Sequence, residues 1–455
     1  MSNLGRPSLA LLALALFGCH RRAGGDHVTP APSASASVRL ATSAAPAASS
    51  ASPAAPTASA LPLEPATPPP LPETFVGARS EKACKAQTVE LANYLLRGDV
   101  SLGGHAGGVA AAWRIHLTGK TQEQVAFASF DPEGRPVARP RGVGQTTKDV
   151  PPRVFASGPQ WTVVWFDDKS LAFVRPHAEA GPMPDVAHLS AIGPEVAADI
   201  ALATSPAGAV LATTPFGADK AQLGLFLFAP ANDAATVRAL GVTHHGKQPH
   251  RSAVAAGAGG IFVVWDEGGA LVGSRFDAAG KENDAMCTIA PGLDGPSPKA
   301  AAPPGPNAVA STEGHPPAGA QRERLALAAT STGAVAMWME GGRVRTRALD
   351  ASGCPASPIW TVAEGRWASI TSLGDTALVV WAAADGRLLA ARLQPSGAPP
   401  ARGLDAAEGS SGIKDPPVAI AVGPGKVAFG WSEVMSPVIS TKRIVMRIVD
   451  AACVP

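Results

Sequence analysis

The chain has 455 residues, of which 46% are hydrophobic, 16% charged and 5% aromatic, and its formal net charge is +2. That length admits more than one domain, and the near-neutral balance excludes nucleic-acid recognition through a broad basic face. Its 48 Gly and 44 Pro suit a fold rich in turns.

Residues 1–19 have the pattern of an export signal. Arg6 supplies a short positive start, and Leu9–Phe17 is an apolar run too short to span a bilayer. The run ends in Leu16-Phe-Gly-Cys19, which resembles the lipobox of bacterial lipoproteins. That resemblance implies diacylation of Cys19 and a lipid anchor rather than a spanning segment. His20, where an Asp would signal retention at the inner membrane, implies the outer membrane, facing either the periplasm or the cell exterior. An ordinary signal peptide with a chance Cys is the alternative. No apolar run of 18 or more residues occurs elsewhere.

Residues 20–75 are Ala, Pro, Ser and Thr with few charges. Such a stretch cannot bury enough apolar surface to offset its ordering entropy, so it is expected to be a disordered tether.

From residue 76 onward the chain repeats one phrase. An apolar strand ends in Trp at Trp113, Trp165, Trp265, Trp338, Trp381 and Trp431, and a seventh copy has Thr213 in that place. The spacings are 52, 48, 52, 73, 43 and 50 residues. An alternating strand precedes each anchor, as in Val418–Val422. A tight turn follows it, such as Asp266-Glu-Gly-Gly269, then a strand ending in Arg and an Asp-x-x-Gly turn, as in Arg275-Phe-Asp277. Glycine supplies the positive φ that short hairpin turns require. A weaker fourth segment such as Ile359–Ala363 completes the unit. Four antiparallel strands repeated seven times predict an all-β fold, a seven-bladed β-propeller. The recurring Trp and the recurring Arg275, Arg347, Arg392 and Arg447 are read as packing elements. The spacing of 73 reflects a Pro/Ala-rich insertion at about residues 291–320. Residues 432–442 are read as a long hairpin loop.

Four cysteines remain after Cys19, and an even number in an exported chain suggests two disulfides. Cys287 and Cys354 follow the Asp-x-x-Gly turns of neighbouring units, which predicts that they pair. Cys84–Ala92 aligns with the fourth strand at Cys354–Val362. The N-terminal strand should therefore complete the last blade, with Cys84 bonded to Cys453. The phrase as a whole resembles bacterial seven-bladed β-propeller lipoproteins and periplasmic repeat proteins over about residues 80–455. The sialidase-type Asp-box is absent, and Trp265-Asp266 is the sole Trp-Asp pair.

No catalytic, cofactor-binding or metal-binding pattern is found. His244, His245 and His250 are read as a polar loop. The second-to-third strand turns and the blade connections share one side of a propeller. There Asp167, Asp168, Asp266, Glu267, Glu340, Asp385 and Glu433 meet Arg153, Arg251, Arg324 and Arg366 as a candidate binding face. Mutual pairing of these charges is the structural alternative. With one tyrosine, Tyr94, and Trp spent in the core, an aromatic sugar platform is not expected. The expected function is a non-enzymatic, lipid-anchored binding or scaffold module of the cell envelope, with a protein or envelope component as partner. The alternative is a glycan-directed hydrolase using mouth carboxylates such as Asp167 and Asp266.

Overall fold

In the computed structural model, described residues lie between 86 and 455. The exceptions are 96–98, 117–121, 149, 169, 177–184, 190–198, 206–207, 217–221, 231–234, 241–248, 268, 284–285, 293–321, 401–402, 408–411, 414, 424 and 437–440. The expected signal, Cys19, the tether, Cys84, His244, His245 and most of the Pro/Ala-rich insertion fall outside them.

Among the described residues, the alternating apolar segments form 28 strands. The first, β1 (Ala86–Leu95), stands before seven sets. Blade one is β2 (Val100–His105), β3 (Gly108–His116), β4 (Glu123–Phe130) and β5 (Arg141–Thr146). Blade two is β6 (Arg153–Ser157), β7 (Gln160–Phe166), β8 (Leu171–Val174) and β9 (Ala187–Leu189). Blade three is β10 (Asp199–Ser205), β11 (Gly208–Phe216), β12 (Gln222–Pro230) and β13 (Ala235–Leu240). Blade four is β14 (Pro249–Gly257), β15 (Gly260–Glu267), β16 (Ala270–Phe276) and β17 (Cys287–Ala290). Blade five is β18 (Arg322–Thr330), β19 (Gly333–Glu340), β20 (Arg343–Leu349) and β21 (Trp360–Glu364). Blade six is β22 (Trp367–Leu373), β23 (Thr376–Ala382), β24 (Leu388–Arg392) and β25 (Leu404–Asp405). Blade seven has β26 (Val418–Val422), β27 (Lys426–Ser436) and β28 (Thr441–Asp450), and its fourth strand is β1.

Each blade is a four-stranded sheet in sequence order, apart from the last, whose order is β1-β28-β27-β26. The first strands of neighbouring blades contact one another round the ring, so they are innermost. The fold is therefore a seven-bladed β-propeller, closed by the N-terminal strand as the repeat alignment predicts. Gly104 lies where blade one meets blade seven: a Cβ there would fall 2.1 Å from the carbonyl oxygen of Ala421, so only glycine permits that approach.

Among the described residues the core is seven apolar clusters, one between each pair of adjacent blades. The repeat Trp of a blade packs into the cluster shared with the preceding blade, and all six are at most 2% exposed. Blade three has Thr213 instead, fully buried. In the cluster that this blade shares with blade two, Phe228 packs edge-to-face on Phe155 and Phe173, with centroids 6.0 and 5.2 Å apart.

The recurring arginines tie the ring. Arg347 Nη1 donates to the Ile289 carbonyl of blade four (2.5 Å), and Arg392 Nη2 to that of Ala451 after blade seven (2.7 Å). Arg447 Nη1 donates to the Ala406 carbonyl at the end of blade six (3.3 Å), while Arg275 stays within its blade, bonding to Gly259. The Asp-x-x-Gly turns are closed by their first residue: the Asp350 carboxylate accepts from Ser352 and from the backbone N–H of Cys354, with Gly353 at φ 88°. The Ser352 hydroxyl, aided by those amides, holds the Asp350 carboxyl below its usual range. One expected loop is shorter than predicted. Residues 432–436 and 441–442 extend β27 and β28, because Glu433 pairs in register with Arg443 and Val434 with Lys442.

Cys287 and Cys354 are bonded across blades four and five, with Cα atoms 5.3 Å apart. Cys453 is also disulfide-bonded, and its partner lies outside the described residues. Closing a loop of 67 residues should stabilise the fold by about 4 kcal/mol in the chain-entropy account. Replacing both Cys287 and Cys354 by Ser should shift the denaturant midpoint down accordingly. An unchanged midpoint would show that the bond constrains nothing the unfolded chain explores.

Candidate functional site

Antiparallel order puts the second-to-third strand turns and the blade connections on one side of the ring, and the predicted face is there. Its charges are largely spoken for. In blade two, Asp167 Oδ1 accepts from the Ser170 amide (2.9 Å), and Oδ2 lies 3.2 Å from His188 Nδ1. Ser170 Oγ is 3.4 Å from the same nitrogen. A nucleophilic triad needs serine and carboxylate on opposite ring nitrogens; here they compete for one, so the trio is not a catalytic relay. Asp168 accepts from the Thr147 hydroxyl, and Arg153 Nε donates to the Ile200 carbonyl of blade three (2.9 Å). In blade seven Glu433 pairs with Arg443 (2.5 Å), and in blade six Asp385 pairs with Arg387 (2.6 Å).

Blades four to six behave differently. Asp266 Oδ1 caps its turn by accepting from Gly269 N (3.0 Å). The indole N–H groups of Trp265 and Trp338 donate to Glu267 and Glu340, two residues on, at 3.0 and 3.1 Å. Between them sits Arg322, which sequence reasoning missed. It is 6% exposed and donates to the carbonyls of Gly269 and Pro291. Burial lowers its pKa, and the charges of Glu340 and Asp266 oppose that shift. The only sequence signal for it is its place two residues before Arg324. Arg251 donates to the Arg322 carbonyl, and the Arg324 guanidinium lies 4.5 Å from the centroid of the Trp367 ring. Arg366 is exposed beside them, its N–H bonded to the Ala382 carbonyl (2.9 Å).

Thus Arg251, Asp266, Glu340 and Arg324 come together at one sector, while Asp167 and Glu433 serve their own blades and Arg153 ties blade two to blade three. In blade one a second buried cation, Arg114, pairs with Asp99 and Glu123 and also went unrecognised; it directly follows the repeat Trp113. Among the described residues no group of His, Cys, Asp or Glu could hold a metal, and no helix is long and apolar enough to cross a membrane. The sector offers oriented N–H donors on rigid strands. Each of its carboxylates accepts a hydrogen bond from its own blade.

No protein-family model matches the chain, and no curated protein matches it. Among solved structures it is similar to the β-propeller domain of Cps50 (Swd1) from Myceliophteria thermophila, at 10% identity and TM-score 0.45, covering 80% of this chain and 99% of that one. It is also similar to the fucose-specific lectin of Aleuria aurantia (10%, 0.38, 66% and 93%) and to apo AztD of Citrobacter koseri (12%, 0.35, 64% and 68%). Overlaps this loose say nothing about ligand or activity.

Proposed function

We propose that this protein is a lipid-anchored β-propeller of the cell envelope that binds a protein or other envelope component and catalyses nothing. The lipobox-like Leu16–Cys19 and the Ala/Pro/Ser-rich residues 20–75 support the anchor and tether, and His20 after Cys19 supports an outer-membrane location. The observation that carries the binding role is the blade four-to-six sector, where fixed arginines and an aromatic ring stand on innermost strands of a closed ring. Rigid placement of a few polar groups is what a recognition site needs.

The test uses the full chain expressed in an envelope-bearing bacterium. Cys19→Ser should move the protein from the membrane pellet to the soluble fraction. In affinity capture from solubilised envelopes, a partner retained by the wild type should be lost when exposed Arg366 and Asp385 are reversed to Glu and Lys. Steady release of reducing sugar from envelope glycans by the purified protein would instead establish the hydrolase.

A further inference from the structure

Two successive inner strands carry the same irregularity in the same place. In blade four the pairs Pro249↔Glu267 and Ser252↔Trp265 leave His250 and Arg251 opposite Asp266 alone. In blade five Arg324 is the extra residue between the pairs Glu323↔Met339 and Leu325↔Trp338. Each bulge thus immediately precedes the residue facing the repeat Trp, and each places an Arg there. Blade six pairs Trp367↔Ala382 and Ala368↔Trp381 without a bulge, so Trp367 occupies the corresponding position. Arg324 has φ 51°, the one positive φ outside glycine among the described residues. That conformation costs about 1–3 kcal/mol. Bulges re-aim side chains and cluster at functional sites; the same bulge at equivalent positions of two neighbouring blades, strained at Arg324, needs a reason beyond blade packing, which blade six achieves without it.

We propose that this sector takes a carboxylate-bearing segment of a partner protein, with Arg324 and Arg251 as donors and Trp367 as the apolar floor. The inference rests on the binding-module reading above and names its partner's chemistry. A guanidinium carried over an indole keeps a fixed plane, and its N–H donors radiate in that plane as a fork matched to a carboxylate. Three equivalent positions on three neighbouring inner strands suit an extended segment. Among the described residues, β15 and β19 end two residues past their Trp and β23 one past its own, whereas β27 runs on to Ser436, beyond Trp431. Asp266, Glu267 and Glu340 offset most of the charge of the sector's arginines, so it is matched to single carboxylates better than to a dense polyanion such as a phosphorylated polymer.

The experiment is fluorescence anisotropy on the full-length protein in detergent, with a labelled peptide of alternating Asp and Ala and its Asn/Ala counterpart. The Asp peptide alone should bind. Arg324→Gln and Arg251→Gln should each weaken it about tenfold or more, as expected for a lost charge-assisted bond. Arg324→Lys should not rescue, since it lacks the fork. If either Gln variant fails to melt like the wild type, Arg366→Gln at the exposed edge replaces it and should weaken binding severalfold. Equal binding of the two peptides, unchanged affinity in these variants, or displacement by polyphosphate in preference to the peptide overturns the inference. Retention of an envelope partner by the Arg251→Gln, Arg324→Gln double variant would sink this inference and leave the binding module standing.

Discussion

Deletion of residues 86–95 should abolish cooperative unfolding. β1 is the fourth strand of blade seven, paired with β28 from Ala86↔Val449 to Leu95↔Lys442. Leu91 is buried, and Val89 and Ala92 pack against the same cluster, which includes Ile444, Met446 and Ile448. Each large apolar side chain removed from water is worth about 1.5–3 kcal/mol. The deletion also exposes the ladder edge of β28. Losses of that size rival a whole domain's net stability of about 5–15 kcal/mol. The control is Cys453→Ser, which removes the nearby covalent bond and leaves β1 in place; it should melt lower but still sharply. A deletion variant melting within a few degrees of the wild type would show that the ring does not depend on its closing strand.

Trp338→Ala should cost about 3–5 kcal/mol, the range for removing a buried Trp from a packed core. Trp338 is fully buried between blades four and five, among Val264, Leu271 and Leu327. The informative comparison is with phenylalanine. Trp338→Phe keeps a ring but deprives Glu340 of its indole donor, whereas the buried Nε1 of Trp431 has no hydrogen-bond partner among the described residues. Trp431→Phe therefore carries the packing loss alone. Trp338→Phe should be the worse of the two by about 1 kcal/mol or more, since hydrogen bonds to charged groups are worth about 1.5–3 kcal/mol. Equal denaturation midpoints for the two Phe variants would remove the polar share from this account.

The blades were legible because their determinants are local and repeated. A Trp closing a strand, an Asp-x-x-Gly turn and a glycine at positive φ each act within a few residues, so their period is visible in one dimension. The closing strand and the Cys287–Cys354 bond followed from that register. The site was legible only in part. Arg251 and Arg324 stood out as charges near the rim, but a bulge is a property of a pairing and has no single-strand signature. Arg153 was grouped with them although it pairs opposite Val164, out of their register. The pairing of Asp167 with His188 joins β9 to the turn after β7, and no sequence spacing anticipates it. The phenylalanine contacts beside blade three join three different strands, so no single stretch of sequence announces them.

The closing strand also sets an order of events. Ala86 pairs with Val449, so the first strand of the propeller to be synthesised is among the last to be used. Joining such distant segments carries a loop-closure entropy of about 5 kcal/mol, growing only as the logarithm of the intervening length. Contacts this remote in sequence slow folding. Until β28 exists, β1 has no partner in its own sheet, and a ten-residue strand with both edges bare is a template for pairing with other chains. The ring's tightest joint is therefore its greatest exposure to misassembly while the chain is being made.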